Sequence, residues 1–373
     1  MTKTPRAIVS VTNDLLTDNR ADKICLFLME QGYSVLLVGR KKKDSSDLKK
    51  RKYKTRRFSL FFETGFKFYA SFNLRLFFFL IFRRVNILVS NDLDTLLSNY
   101  LASKLKRKCK LTYDSHEYFT EVPELINRPR VRNFWLKIER FIFPKLKSVY
   151  TVNESIANIY KKKYNVNVDV IRNISNRWTQ KLIKSKSELG VPENTRLIII
   201  QGAGINIDRG AEEAVQAMTN VNATLMIVGD GDVIPELKKR VVELGLSKKV
   251  IFYKKQPYST MMNYTYFADI GLTLDKPSNL NYKLSLPNKV FDYIHAGTPI
   301  ISTNITEVSK VVNTYDVGVI INNFNSETLA KKIEELLNNQ KLLDKFKRNC
   351  ALAAKIENWE IEKKKLKTIY PSV

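Results

Sequence analysis

The sequence predicts an α/β protein built from two doubly wound, parallel-sheet domains. Three observations carry this. The 373 residues exceed one ordinary α/β domain and suit two. Short β-branched runs alternate with helical stretches, the pattern of parallel strands covered by helices. The alternation lapses in a polar stretch, 173–194 with Pro192 near its end, and then restarts.

In the first half the runs Ala7–Val11, Ser34–Val38, Asn86–Val89, Lys110–Tyr113, Ser148–Val152 and Asp169–Ile171 read as strands. Helices fall at Arg20–Gln31, Phe66–Arg83, Leu93–Lys106, Arg130–Phe143 and Glu154–Tyr164. After the polar stretch, strands are expected at Leu197–Gln201, Ala223–Val228, Val250–Phe252, Ile270–Leu274 and Pro299–Ser302. The domains are expected at 1–180 and 181–355. The long final helical region, Ser326–Leu366, carries Trp359 as an apolar anchor, and residues 356–373 are expected to pack back on the first domain. Ligands of such sheets bind beyond the carboxyl ends of the strands, so two Rossmann-like domains facing a cleft are expected.

The composition, 44% hydrophobic and 27% charged, is that of a globular chain. Residues 1–6 are polar and the run Ala7–Val11 is too short for a signal-peptide core. Cys25, Cys109 and Cys350 are scattered and match no metal-ligand spacing, which predicts reduced thiols in the cytoplasm. The net charge of +26 is lopsided: residues 1–180 hold 36 Lys+Arg against 16 Asp+Glu, residues 181–373 hold 27 against 21. Such a field predicts an anionic partner for the N-terminal half, a phosphorylated surface or a nucleic acid.

The most informative stretch is Leu284-Ser-Leu-Pro-Asn-Lys-Val-Phe-Asp-Tyr-Ile-His-Ala-Gly-Thr-Pro299. Pro287 marks a helix start and Gly297 its end. The N-terminus of such a helix suits a diphosphate, and Lys289 in the first turn adds a full charge. Asp292, one turn on, is placed to accept from vicinal ribose hydroxyls. The alternative is a plain capped helix with a solvated acid.

The segment Pro287–Gly297 resembles the Pro-Asn-Lys-Leu-Phe-Glu-Tyr-x-x-x-Gly signature of retaining glycosyltransferases of family 4, including those of bacterial surface-polysaccharide synthesis. Other pieces follow in order: Ile199-Ile-Gln-Gly-Ala-Gly-Ile-Asn-Ile-Asp-Arg-Gly210, Ile227-Val-Gly-Asp-Gly231, Ala268-Asp-Ile-Gly-Leu272 and, in the first half, Tyr113-Asp-Ser-His-Glu117. The resemblance runs from about Ile8 to Lys355. It implies a GT-B fold with a nucleotide-sugar donor held by the C-terminal domain. By position, Arg209, Lys289 and the backbone of Leu286, Pro287 and Asn288 would meet the diphosphate. Asp292 would meet the ribose, and Gly202 and Gly204 would let the loop approach the phosphates. His116 would hydrogen-bond the donor sugar or the acceptor. Arg209, Lys289 and His116 are thus the candidate catalytic residues. His295, where the family often has alanine, reads as structural.

Two departures stand out. The family often has two glutamates seven residues apart; here the positions hold Leu284 and Asp292. Its Gly-Gly loop near the N-terminus is replaced by Asn13-Asp-Leu-Leu-Thr-Asp-Asn-Arg20. Two Asp-x-Asp triplets, Asp92–Asp94 and Asp230–Asp232, read as loop and capping acids, so neither a metal nor another cofactor is expected.

Residues 40–57 hold eleven Lys/Arg against two Asp, and the aromatic segment Phe58–Phe82 follows. Within it Glu63, Lys67, Ser71 and Arg75 form one polar stripe, whereas Leu76–Phe82 is apolar all round. The segment is too short to span a bilayer; it reads as a helix lying in the membrane interface or one packed on its own sheet. The expected partners are a nucleotide-sugar donor, a lipid-linked saccharide acceptor and an anionic membrane surface, with the protein peripheral on the cytoplasmic face. Nucleic acid is not expected, because it gives no reason for the Arg209, Lys289 and Asp292 set. A GT-B epimerase or phosphorylase is the alternative activity.

Overall fold

The structure is a computed structural model that describes residues 4–16, 18–179 and 184–372. It divides into two units, 1–173 with 363–373, and 174–362. The boundary expected at 180/181 lies outside the described residues. Ile174 is fully buried in the second unit's core and Ser175 bonds within that unit, so the chain has already changed units by that point.

The first unit holds seven parallel strands: β1 (Arg6–Asp14), β2 (Ser34–Lys41), β3 (Lys54–Ser59), β4 (Ile87–Asn91), β5 (Lys110–Ser115), β6 (Val149–Thr151) and β7 (Asp169–Val170). Their order is β3-β2-β1-β4-β5-β6-β7. One strand was not expected. Lys-Thr-Arg-Arg-Phe-Ser forms β3 at the sheet edge, where Phe58 alone is buried, Thr55 and Arg57 are half-buried and Lys54, Arg56 and Ser59 are exposed. An edge strand needs only one apolar anchor, and basic residues there deter pairing with another chain.

Helix Gly65–Ile81 covers this end of the sheet through Phe68, Phe72, Leu76 and Leu80, a period of four that sets them on one face against Ile8, Val38, Phe58 and Leu88. The last residues complete the same unit: Tyr370 is fully buried, its hydroxyl 3.3 Å from that of Tyr150, and Lys110 Nζ donates to the Ile369 carbonyl at 2.6 Å.

The second unit has six parallel strands: β8 (Leu197–Gly202), β9 (Thr224–Gly229), β10 (Val250–Tyr253), β11 (Ile270–Thr273), β12 (Ile300–Thr303) and β13 (Gly318–Ile321), in the order β10-β9-β8-β11-β12-β13. Alternate residues feed two cores. Ile198, Ile200, Leu225 and Ile227 join one, Leu197, Ile199, Met226 and Val228 the other. A sheet buried on both faces is what near-continuous apolar strands require. In both units the strand order reverses beside the first strand of the sheet, between β1 and β4 and between β8 and β11. Such switch points open a crevice at the carboxyl ends of the strands.

Candidate active site

At the switch point of the second unit, β8 ends in Gln201-Gly202 and pairs in register with Gly229 of β9. The two loops beyond are stapled together. Ile205 N–H donates to the Asp230 carbonyl at 3.0 Å, Ile207 N–H to Asp232 Oδ1 at 3.1 Å, and Asp232 N–H to Asn206 Oδ1 at 3.2 Å. A Cβ on Gly229 would fall 1.8 Å from the Gly202 carbonyl oxygen, and one on Gly231 would fall 2.0 Å from that of Ile205. Only glycine permits this approach. Asp230 and Asp232 therefore act as loop residues, as expected. At Gly204 the nearest heavy atom to an added Cβ is 3.9 Å away, so its own packing does not demand glycine.

Arg209 follows this loop. Its guanidinium pairs with Asp275 at 3.0 Å and lies 4.1 Å above the Tyr282 ring. Asp275, two residues past β11, is 1% exposed and escaped the sequence reading. Lys289 opens the helix Lys289–Ala296, whose N-terminus carries no side-chain cap. Burial pulls the Lys289 ammonium pKa down and Arg209 adds repulsion, while Asp275 pulls the other way. Among the described residues Lys289 makes no hydrogen bond or ion pair. Thr273, two residues before Asp275, and its register partner Ser302 have buried hydroxyls with no hydrogen-bond partner among the described residues. Two cations around one buried carboxylate, with orphaned hydroxyls at the strand ends, can hold a dianion.

Asp292 is not the solvated acid of a plain capped helix. It is 5% exposed; its Oδ1 accepts from Ser175 Oγ and from the Tyr258 hydroxyl, both at 2.9 Å, and its Oδ2 from Gln201 Nε2 at 3.3 Å. Every residue of this helix after Lys289 is buried, so the acid points into the unit. Leu284, at the position of the family's first glutamate, is buried, and the loop Leu286–Asn288 leads into the helix. His295 is structural: its Nε2 meets the Glu357 carbonyl at 2.7 Å, and burial lowers its pKa.

In the first unit His116 follows β5, the strand beside β4 at that sheet's switch point. Its Nδ1 lies 3.3 Å from Asp92 Oδ2, and its Nε2 lies 3.1 Å from Asn91 Oδ1 and 3.4 Å from Asp114 Oδ2. Burial opposes a charge here, yet Asp92 and Asp114 lift the imidazole to about 9. Both ring nitrogens of His116 are thus engaged inside its own unit, in a cage of Asp92, Asn91 and Asp114 that favours the protonated ring. Burial also disfavours the charge on Asp114, but Arg20, bonded at 2.7 Å and itself buried, and His116 outweigh it and hold the carboxyl at about 2.

The capping reading of Asp92 and Asp94 is corrected. Asp92 precedes helix Leu93–Lys104 with φ 55° and makes no cap; its Oδ1 accepts the His116 N–H at 2.8 Å. Asp94 is buried and accepts from the Thr12 hydroxyl. Burial raises both acids, against the pull of His116 on each. Arg20 and Asp114 were missed as a pair because 94 residues separate them. Among the described residues no group of three His, Cys, Asp or Glu is arranged to hold a metal.

Comparisons with known proteins agree with this architecture. Residues 181–352 match the family model "Glycosyl transferases group 1", and residues 19–176 match "Glycosyltransferase Family 4". Over 232 residues the chain is 22% identical to the N-acetyl-alpha-D-glucosaminyl L-malate synthase of Bacillus anthracis, covering 60% of this chain and 58% of that one. The chain spans about half the length of the curated relatives it matches, 50% and 58%. In fold it is similar to sucrose-phosphate synthase from Thermosynechococcus elongatus, with TM-score 0.78, 16% identity and coverage of 99% and 98%. It is also similar to Anabaena Alr3699/HepE in complex with UDP-glucose, with TM-score 0.72, 14% identity and coverage of 98% and 99%. A glycosyltransferase model thus matches each half of the chain, and beneath the two matches lie two parallel-sheet Rossmann-like units, a fold of GT-B type.

Proposed function

We propose that the protein transfers a sugar, with retention, from a nucleotide-sugar donor to a lipid-linked or saccharide acceptor, in surface polysaccharide synthesis at the inner face of the cytoplasmic membrane. One observation carries the donor reading: Lys289 is a half-buried cation with no hydrogen bond or ion pair among the described residues, beside the Arg209–Asp275 pair at the switch point. A diphosphate supplies the charge this cluster lacks. Arg209, Lys289 and the uncapped helix start after Leu286, Pro287 and Asn288 stabilise the charge that grows as the sugar departs. Gly202 and Gly204 leave room for the phosphates. The solved complex of HepE with UDP-glucose, alike in fold, favours a uridine nucleotide.

Retention is proposed on one face. The bond from the anomeric carbon to the diphosphate breaks, and the acceptor oxygen bonds the same face. Its proton passes to the departing diphosphate oxygen. Leu284 stands where a carboxylate nucleophile would be sought, which favours this course over a covalent intermediate. No metal or other cofactor is required in this reading, because Arg209 and Lys289 supply the positive charge. His116 belongs to the acceptor-side unit, where its caged charge fixes Asp92 and Asp114. No helix among the described residues is long and apolar enough to cross a membrane, so attachment is proposed as peripheral.

The test is release of nucleoside diphosphate from a panel of sugar nucleotides, with and without saccharide and lipid-linked acceptors, in the presence of a chelator. Release that needs an acceptor and survives chelation is expected. Interconversion of the sugar without release would identify an epimerase instead.

A further inference from the structure

The first unit carries a basic, aromatic groove that the donor chemistry does not use. Edge strand β3 and helix Gly65–Ile81 form its walls. Arg56, Arg75 and Arg83 line it together with Phe58, Phe78, Phe79 and Phe82, and its volume is about 590 Å³. A contiguous groove adds Lys54, Thr55 and Leu36. No acidic residue lines either one.

The arginines are held without being neutralised. Arg83 lies 4.2 Å over the Phe79 ring, and Arg75 lies 4.9 Å over Phe58 while donating to the Ser59 carbonyl at 2.9 Å. Among the described residues Arg56 has no hydrogen-bond or ion-pair partner. Stacking orients a guanidinium and leaves most of its N–H fork for a planar or tetrahedral oxyanion. Elsewhere in the same basic run the arginines are consumed. Arg40 donates to the Glu63 carbonyl, Arg51 pairs with Asp22, and Arg57 with Asp14.

Beside the groove runs an exposed apolar stripe. Phe66 (69% exposed), Leu74 (61%), Phe78 (49%) and Phe82 (83%) recur at helical spacing on the side opposite the buried Phe68–Leu80 face. The stripe continues onto helix Pro129–Ile142, where Phe134 meets Phe66 edge-on at 5.9 Å and Phe141 is exposed. Edge protection accounts for charges on β3 but not for solvent-facing phenylalanines. Unpaired arginines beside an apolar stripe match a ligand that is anionic at one end and hydrocarbon at the other.

We propose that the groove formed by Arg56, Arg75 and Arg83 binds the phosphate headgroup of an anionic membrane lipid, whose hydrocarbon lies on the Phe66–Phe82 stripe. This rests on the reading that the first unit works at a membrane, and it locates the contact. It narrows the sequence expectation, which spread the attraction over the whole basic run 40–57, to one groove.

The experiment uses the full chain and phosphatidylcholine vesicles with and without phosphatidylglycerol, read by co-sedimentation. Arg56→Gln/Arg83→Gln removes two exposed charges, and Phe78→Ser/Phe82→Ser breaks the stripe; UDP affinity monitors the fold of the second unit and far-ultraviolet circular dichroism that of the whole. Each basic contact with an anionic leaflet is worth about 1 kcal/mol, so the arginine pair should weaken binding to the anionic vesicles about tenfold or more. The phenylalanine pair should remove the salt-resistant part. A thermal shift with short-chain phosphatidylglycerol, absent with glycerol phosphate, is expected. Wild-type binding unchanged in both variants would overturn the groove and leave the membrane reading standing. No binding of wild type to either vesicle would overturn both. An equal shift with glycerol phosphate would assign the site to a free phosphate. Self-association abolished by the phenylalanine pair would assign the stripe to a second copy of the chain; either result overturns the lipid.

Discussion

Arg209 and Asp275 form an ion pair at 3.0 Å in which the carboxylate is almost wholly buried and the guanidinium remains partly open to solvent. The pair joins the loop after β8 to the loop after β11, across the switch point where Lys289 also sits. Removing the carboxylate leaves a half-buried cation next to Lys289 with nothing to offset either one. Asp275→Asn should therefore lower stability by about 1–3 kcal/mol and reduce kcat more than it raises the donor KM. Thermal melts and steady-state kinetics read the two effects; an Asp275→Asn enzyme with wild-type kcat would free Arg209 from any need of its partner.

For Arg209→Ala and Lys289→Ala the loss should be in turnover, because charge on the leaving diphosphate is greatest in the transition state. A fall in kcat of about 100-fold or more is expected at saturating donor and acceptor. Near-wild-type kcat in both variants would remove them from the catalytic machinery.

Asp292 carries a different expectation from that of a surface acid. Its carboxylate satisfies Ser175, Tyr258 and Gln201 at once. Asp292→Ala should strand the buried Gln201 donor, leave Ser175 and Tyr258 unpaired and cost about 1–3 kcal/mol, seen as a lowered melting temperature of the second unit. Because Gln201 precedes Gly202, donor affinity should fall with it. A variant that melts like wild type but binds UDP weakly would instead make the ribose the main partner of this acid.

The His116 cage should make the first unit sensitive to alkali. The imidazole is raised from 6.5 to about 9, so its contribution to stability is full below pH 6.5 and is lost as pH rises through 9. Asp114, lowered from 3.8 to about 2, contributes above pH 3.8 and loses that as pH falls toward 2. Melting should drop between pH 6.5 and 9.5 in wild type and much less in His116→Gln. Equal slopes would show that the histidine is not held as a cation.

Lysines 41, 42, 43, 49, 50 and 52 are exposed and add a diffuse field beside the arginine groove. Replacing all six by glutamine should reduce vesicle binding at low salt and change little in high salt, where screening beyond about 8 Å already removes their pull. Donor binding should be intact. Salt-independent loss of all binding in this variant would shift the contact from the groove to the lysines.

The parts of this architecture that depend on apolar runs were legible in the sequence. Ile198–Ile200 and Leu225–Val228 announce central strands because both faces of the sheet are buried, and Pro287 with Gly297 brackets the helix of the donor loop. Strand β3 was not legible, since an edge held by Phe58 alone reads as a basic loop. Strand β13, Gly318–Ile321, is short and was passed over for the same want of a long apolar run. Arg209, Lys289 and the glycines could be singled out through a motif. Asp275 could not, because a lone acid after a strand has no spacing to mark it; its one signal is its place next to Lys276, two residues beyond Thr273. The buried state of Asp292 was hidden by its neighbours, which look like an ordinary amphipathic helix until Tyr258 and Ser175 arrive from elsewhere.

Residues 363–372 belong to the unit that the chain begins, and they bring Leu366 and Tyr370 into its interior. On a ribosome the order of completion is thus inverted. Residues 174–362 emerge with everything their own core needs, whereas the unit started first must wait through the synthesis of the second before Tyr370 can close against Phe27 and Tyr150. During that interval the nascent first unit shows solvent the apolar surface that Leu366 and Tyr370 later cover.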